Sequence, residues 1–320
     1  MIRDIYKKIL ASLSFLLLAH KDPDGDALGS VTALADFLLS LEKKVQIFIP
    51  GQLPRNFNFL PHFNLISNFF STNFDLIIAC DYSDFKRTGF NQEISEDLII
   101  TFDHHIKNSG QKGVLTLIDA NRSSTCELLY FFFKESNISI SKNIATSLLT
   151  GILTDTGFFK NPNVSPATFE AVKNLILKGA PMQNIISRIY NLSDQSIKLW
   201  AEALLKTKFD QEHKIVYAFI PFNDFNKYDN INEINGFSSF INTISEARVA
   251  LTLTEQEQGI LKGSLRAKSN GGINVAQIAQ KLGGGGHQLA AGFESKENFD
   301  KILFRIKNEI QCKGEDSQLK

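Results

Sequence analysis

Residues 20–30, H-K-D-P-D-G-D-A-L-G-S, place His20, Asp22, Asp24 and Asp26 directly after the apolar run F-L-L-L-A. Carboxylates so close repel each other, and a folded chain tolerates them only with compensation. Two other short stretches repeat the chemistry. A-C-D-Y-S-D carries Asp81 and Asp84, and T-F-D-H-H carries Asp103, His104 and His105. A fourth, G-I-L-T-D-T-G, ends a helical pattern on Asp155. Helix capping or a solvated turn would explain any one of these alone. Three acidic tips following three apolar runs are harder to explain that way. Carboxylate oxygens with a minority of imidazole nitrogens suit Mn²⁺ or Mg²⁺ rather than structural zinc. Four aspartates and two histidines exceed the needs of one ion. They suit a pair about 3.5–4 Å apart, an arrangement that performs phosphoryl transfer. Adjacent side chains at a strand end point opposite ways, so one of His104 and His105 is expected to ligate and the other to face a substrate.

The elements that must position these groups are legible as apolar runs. Residues 14–19, 45–49, 75–79, 97–102 and 114–118 read as strands covered on both faces, as in a parallel sheet. Helical spacing marks A-L-G-S-V-T-A-L-A-D-F-L-L-S-L, and S-S-T-C-E-L-L-Y-F-F-F opens on a capping-box pattern, Ser124 with Glu127. Further helices follow, one of them stopped by Gly179. In an open α/β sheet, ligands bind beyond the carboxyl ends of the strands, where the acidic tips fall. After residue 211 the texture changes. K-I-V-Y-A-F-I, A-R-V-A-L-T-L-T-E and G-I-L-K-G-S-L-R-A read as strands, the last two joined by a glycine-containing turn. The expected organisation is an α/β domain over 1–185, a connecting helical linker over 186–210 and a smaller α+β domain over 211–320.

The second half offers a different set of groups. G-G-G-G-H-Q-L-A-A-G-F at 283–293 includes Gly284, Gly285, Gly286 and His287. Glycines let backbone approach a ligand and turn N–H groups toward anionic oxygens. The surrounding apolar residues favour a buried functional loop over a flexible linker. Arg266 and Lys268 share one face of a strand, and Arg suits bidentate phosphate binding. Ser264 is grouped with them as a substrate contact.

Composition narrows the partners. The 320 residues are 43% hydrophobic and 21% charged, with Lys plus Arg and Asp plus Glu both at 34. No global field draws such a chain to nucleic acid or to a membrane, so phosphate recognition must be local. Cys80, Cys126 and Cys312 form no C-x-x-C pair and suggest a reducing compartment. The N-terminal apolar run is too short to span a bilayer and lacks a cleavage site. A cytoplasmic protein is expected.

Together these motifs resemble the DHH phosphoesterase superfamily. H-K-D-P-D-G-D-A-L-G-S, the Asp of A-C-D-Y-S-D, D-H-H and the Asp of G-I-L-T-D-T-G occur in the family's order. G-G-G-G-H-Q-L-A-A-G resembles the nucleotide-binding motif of the DHH-associated C-terminal domain. Within the superfamily, the length and short linker resemble the bifunctional oligoribonuclease (nanoRNase) and pAp-phosphatase group. The resemblance implies an N-terminal parallel-sheet domain, a smaller α+β DHH-associated domain, and an active site in the cleft between them. It implies one Mn²⁺ on His20, Asp24 and Asp81, and a second on Asp26, Asp81, His104 and Asp155, with Mg²⁺ as the other candidate metal. Asp103 would orient a neighbouring histidine, His105 would contact the phosphoryl group, and Arg266 and His287 would clamp the substrate's other phosphate and nucleoside. A hydroxide activated by the two ions would attack phosphorus in line. The implied activity is hydrolysis of short oligoribonucleotides to mononucleotides and removal of the 3′-phosphate of pAp. No long basic track exists to hold a long strand or duplex, and a homodimer is left open. Two departures stand out. Asp22 occupies a position where many members carry Asn. K-N-P-N at 160–163 replaces a segment that often begins with Arg, leaving Lys160 as the phosphate contact there. The alternatives are an inorganic pyrophosphatase or polyphosphatase, a cyclic-dinucleotide phosphodiesterase, a RecJ-like exonuclease, and a catalytically silent nucleotide-binding module.

Overall fold

The computed structural model describes residues 1–106, 110–225, 227, 234, 236–257, 259–269 and 271–315. The chain divides into two compact units, Met1–Asn191 and Leu192–Lys320. In the first, helix α1 (Ile2–Ala11) precedes strand β1 (Ser14–Leu18), helix α2 (Gly25–Ser40), and strands β2 (Lys44–Phe48), β3 (Ile66–Ser67), β4 (Leu76–Cys80), β5 (Ile99–Asp103) and β6 (Leu115–Ile118). Helices α3 (Thr125–Glu135), α4 (Lys142–Asp155), α5 (Pro166–Leu177) and α6 (Met182–Ile189) complete it.

The five strands expected from the apolar runs are present, joined by the two-residue β3 at one edge. All pairings are parallel, in the order β3-β2-β1-β4-β5-β6. The continuous apolar runs follow from burial on both faces. Phe15 and Leu17 join the core under α2, α3 and α4. Leu16 and Leu18 face the other way, into a cluster closed by Tyr82, Phe85 and Phe90 rather than by helices. The order places β1 beside β4 although β2 and β3 intervene in sequence. The chain therefore reverses its winding between β1 and β4, which is where an open α/β sheet forms a crevice.

Two glycines let α4 pack closely, Gly29 at its crossing with α2 and Gly151 at its contact with α3. A Cβ on Gly29 would lie 2.5 Å from the Ser147 carbonyl oxygen, and one on Gly151 would lie 2.2 Å from Cys126 Sγ. Backbone cannot give way as a flexible side chain can, so overpacking of about 1–3 kcal/mol is the expected cost. Gly29→Ala should lower the urea midpoint by that free energy divided by the slope of the transition, the slope itself unchanged; an unchanged midpoint would contradict this close crossing.

The second unit runs α7 (Asp194–Leu205), β7 (Lys208–Asp210), β8 (Ile215–Ile220), α8 (Phe222–Phe225), α9 (Phe237–Ile241), β9 (Val249–Glu257), β10 (Ile260–Ala267), α10 (Val275–Lys281), β11 (Gly285–His287), β12 (Ala290–Ser295) and α11 (Phe299–Glu315). Its mixed sheet has the order β11-β12-β10-β9-β8-β7, with β8 and β9 parallel and the other pairs antiparallel. Both faces are covered. Leu251 and Leu253 pack with residues of α10 and α11. Val216, Ala218 and Ala250 pack with Leu199 and Ala203 of α7 and with Phe237 of α9. Helix α7 lies within the stretch expected as connecting helix, and its apolar face belongs to this core. Among the described residues no helix is long and apolar enough to cross a membrane.

Candidate metal centre

Three adjacent strand ends deliver the acidic tips to one place. His20 follows β1, Asp81 follows β4, and Asp103 closes β5, paired in register with Ile118 of β6. Asp81 is 2% exposed and adopts a left-handed backbone, φ 50°, its N–H donating to the Phe102 carbonyl at 3.0 Å. A buried non-glycine residue in that region is held there by its surroundings, and such strain gathers at functional sites.

Asp81 is the meeting point. Its Oδ2 lies 3.8 Å from His20 Nε2, and its Oδ1 lies 3.7 Å from His104 Nε2 and 3.5 Å from His105 Nδ1. His20 Nε2 is also 3.9 Å from Asp24 Oδ1, and His104 Nε2 is 3.5 Å from Asp155 Oδ2. These spacings are too long for hydrogen bonds. They suit ligands of a shared cation, which sit roughly 3–4 Å apart when each bond is about 2.1 Å. Three groups have ligand atoms within 4.8 Å of one another: His20, Asp24 and Asp81; Asp26, His104 and Asp155; and Asp81, His104 and His105. Each can hold a divalent cation.

The electrostatics call for one. Burial, with Asp26, Asp24, Asp103 and Asp155 nearby, pushes the Asp81 carboxyl well above the usual range. Burial does the same to Asp26, and it raises Asp155 to about 8, His104 opposing and Asp26 and Asp24 adding to the rise. His104 is raised despite its burial, by Asp155, Asp26 and Asp103. His20 is lowered, chiefly by burial, and its Nδ1 is buried without a hydrogen-bond partner. Several acids crowded out of water cannot all ionise without added positive charge.

Local chemistry sets the orientations. Asp24 caps α2, its Oδ1 accepting from the N–H groups of Asp26 and Ala27. Asp26 is fully buried and turned the other way, Oδ2 accepting from Thr125 N–H at 2.7 Å and Oδ1 from Cys126 N–H at 2.9 Å. A carboxylate retains further lone pairs for a cation. Asp103 bonds His105, not His104: its Oδ1 receives His105 Nδ1 at 2.7 Å, while Oδ2 accepts from Ser83 N–H and Gln111 Nε2. Burial pushes Asp103 up, but the His105 bond and charge outweigh it and hold the carboxyl far below the usual range. His104 instead turns Nδ1 to the Arg122 carbonyl at 3.4 Å.

The opposed directions expected for the two histidines do not occur. Both follow β5 rather than ending it, so the period-two alternation no longer applies. Their rings lie 4.8 Å apart and both face Asp81. Asp22 is exposed, and Asp84 caps a single 3₁₀ turn. Lys160 is exposed in the turn after α4. Thr125, Arg122 and Asn163 were not singled out by residue type. The only signal was the Ser124–Glu127 pattern, and Glu127 departs from a reciprocal box by bonding Ser123.

In the second unit the glycine run is an exposed turn leading into an edge strand rather than a buried loop. Cβ atoms on Gly284 and Gly286 would strike the Gly292 and Ala290 carbonyls of β12 at 2.0 and 2.5 Å, so these glycines serve strand pairing. Positions 283 and 285 open on space. The His287 side chain lies outside the described residues. Arg266 is partly buried, and among the described residues its guanidinium has only neutral partners: Ser239 Oγ at 3.2 Å, Ser264 Oγ at 3.3 Å and the Leu265 carbonyl at 2.9 Å. A guanidinium held without a carboxylate is ready for an anion.

Comparison with known proteins gives two family matches: the N-terminal domain of the DHH family over residues 14–152, and the DHHA1 domain over residues 212–311. The chain is similar to the bifunctional oligoribonuclease and PAP phosphatase NrnA of Thermus thermophilus, 28% identical over 93% of this chain and 90% of that protein. It is similar to the NrnA of Bacillus subtilis, 26% identical over 94% of this chain and 95% of that one. A probable manganese-dependent inorganic pyrophosphatase of Enterococcus faecalis is 25% identical over 59% of this chain and 64% of its own. Among solved structures, an exopolyphosphatase-related protein from Bacteroides fragilis has the same fold, with a TM-score of 0.86, 22% identity, and coverage of 97% of this chain and 95% of that one.

Proposed function

Because the chain belongs to the DHH family, with a DHHA1 domain following the DHH domain, we propose that it is a phosphoesterase that cuts short oligoribonucleotides to mononucleotides and removes the 3′-phosphate of pAp. The observation that carries this is the convergence of His20, His104 and His105 on Asp81, which two of the three ligand groups share, on a chain whose full-length relatives are oligoribonucleases and PAP phosphatases. The residues fit two divalent cations. His20, Asp24 and Asp81 would hold one, and Asp26, Asp81, His104 and Asp155 the other; the manganese-dependent relative favours Mn²⁺ over Mg²⁺. When bound, such ions lower the pKa of water and offset charge on phosphoryl oxygens.

The protein's own groups do the rest. Asp103, kept ionised, accepts a hydrogen bond from His105 Nδ1, which orients the ring so that a proton carried on Nε2 is the one offered to a phosphoryl oxygen. Hydrolysis forms a bond from water oxygen to phosphorus and breaks the bond to the leaving oxygen, which takes a proton from solvent or from His105. Arg266, with Ser264 beside it, binds a second phosphate, the glycine turn around Gly285 and the neighbouring His287 approach the nucleoside, and Lys160 meets solvent-side phosphate.

Purified protein with Mn²⁺ should be offered pAp, a dinucleotide, a pentanucleotide, a cyclic dinucleotide and pyrophosphate side by side. Turnover of the dinucleotide and of pAp is expected; turnover of pyrophosphate alone would reverse the assignment. Arg266→Ala should raise KM for the dinucleotide roughly tenfold to a hundredfold, the worth of a charged hydrogen bond, with kcat little changed. An unaltered KM would remove Arg266 from the substrate site.

A further inference from the structure

A single six-residue segment bonds three groups of one proposed cation site, Asp26, Asp81 and His104, and reaches the backbone of the fourth, Asp155, through Asn163. The Arg122 carbonyl takes His104 Nδ1. The Ser123 carbonyl accepts from Asn163 Nδ2 at 2.8 Å, and that amide also reaches the Asp155 carbonyl at 3.4 Å, beside Asn161 Nδ2 at 2.9 Å. The N–H groups of Thr125 and Cys126 hold the two Asp26 oxygens, and Thr125 Oγ1 donates to Asp81 Oδ1 at 3.3 Å. His20 and Asp24 come instead from the β1–α2 connection, where Asp24 is fixed by amides of its own helix.

What fixes the segment is a fully buried carboxylate outside the ligand set. Glu127 is 0% exposed. Its Oε1 accepts from Arg122 Nη1 at 3.3 Å; its Oε2 accepts from Ser123 N–H at 3.1 Å, from Ser123 Oγ, and from Thr168 Oγ1 at 2.8 Å. Arg122 is further pinned by Asp119 at 3.2 Å and by the Phe131 ring at 4.0 Å. An ionised acid so deep is costly unless every lone pair is used, and here all four contacts tie the loop before α3 to itself and to the start of α5.

We infer that Glu127 is the positioning residue of the Asp26–Asp81–His104–Asp155 cation site, and that the His20–Asp24–Asp81 site, which meets the segment only through Thr125 and the shared Asp81, depends on it less. This rests on the two-cation reading above. Partners that bond metal ligands directly are worth about 10–100-fold in affinity, and Glu127 acts through such partners, so this range is the ceiling of its effect. Glu127→Gln keeps the shape but replaces an acceptor with a donor, so it breaks contacts on one side of the hub.

The test is manganese titration of wild type and Glu127→Gln by calorimetry and electron paramagnetic resonance, with no substrate present. Wild type should take two ions and give the signal of a coupled pair. Glu127→Gln should weaken one ion by up to about 100-fold, weaken the other distinctly less, and show isolated Mn²⁺ over the intermediate range. Thr168→Val, which removes one donor to Glu127, should move the same ion in the same direction, and Thr168→Ser should restore it; this pair carries the test if Glu127→Gln does not fold. Equal weakening of both ions, or of neither, would overturn the inference. A wild type that takes fewer than two ions would instead overturn the reading on which it rests.

Discussion

Asp81→Ala is expected to abolish turnover on every substrate and to lower the affinity of both cations at once. Asp81 lies within 4 Å of His20, which follows β1, and of His104 and His105, which both follow β5. Removing it takes a ligand from both sites. The loss should therefore exceed the roughly 10–100-fold expected from disturbing an outer partner such as Glu127. The protein should still fold, because the change relieves crowding among buried acids: Asp26, Asp24, Asp103 and Asp155 all disfavour the ionised form of Asp81. Steady-state kinetics with Mn²⁺ and a thermal melt of the chelated protein separate the two effects. Wild-type rates, or a collapse of the fold with no change in manganese uptake, would remove Asp81 from the centre of the site.

Chelation should have the next largest effect, and its pH dependence has a defined sign. Asp155 titrates near 8 in the folded, cation-free protein against 3.8 for the ordinary side chain. A carboxyl raised in this way holds a proton in the folded state that the unfolded chain releases. Stability therefore falls as pH climbs from about 4 to about 8 and levels off above that. Asp81 and Asp26 are raised in the same direction, and His104, also raised, loses its favourable charge at the upper end of the window. His20, lowered by burial, acts in the opposite sense but alone. Cation binding needs these groups deprotonated, so affinity rises with pH. The chelated protein should melt at a lower temperature at pH 8 than at pH 6. Manganese should raise the melting temperature more at pH 8, where an excess of about 100 times Kd adds about 2.7 kcal/mol, or roughly 5–10 °C at 2–4 °C per kcal/mol. Activity should vanish on chelation and return with Mn²⁺. A chelated melting temperature that climbs between pH 6 and pH 8 would mean that these acids are not buried together.

By itself the sequence determined the inventory of candidate ligands and the strands that carry it. Both are local properties. His20, Asp24 and Asp26 lie within seven residues, and β1, β4 and β5 betray themselves because burial on both faces leaves no exposed position and few polar residues in the run. The glycine run and Arg266 were also visible, but what they face was not: two of the glycines are spent on the close approach to β12. Tertiary structure decided which tips meet. The order β3-β2-β1-β4-β5-β6 brings the ends of β1 and β4 together across more than fifty intervening residues. It also decided how each group is aimed, through hydrogen bonds between residues 99 and 100 positions apart, from Thr125 and Cys126 to Asp26, and 44 apart, from Thr125 to Asp81. Spacing along the chain sets what a loop can offer. The partner of a buried polar group is chosen by packing, and no local pattern records that choice.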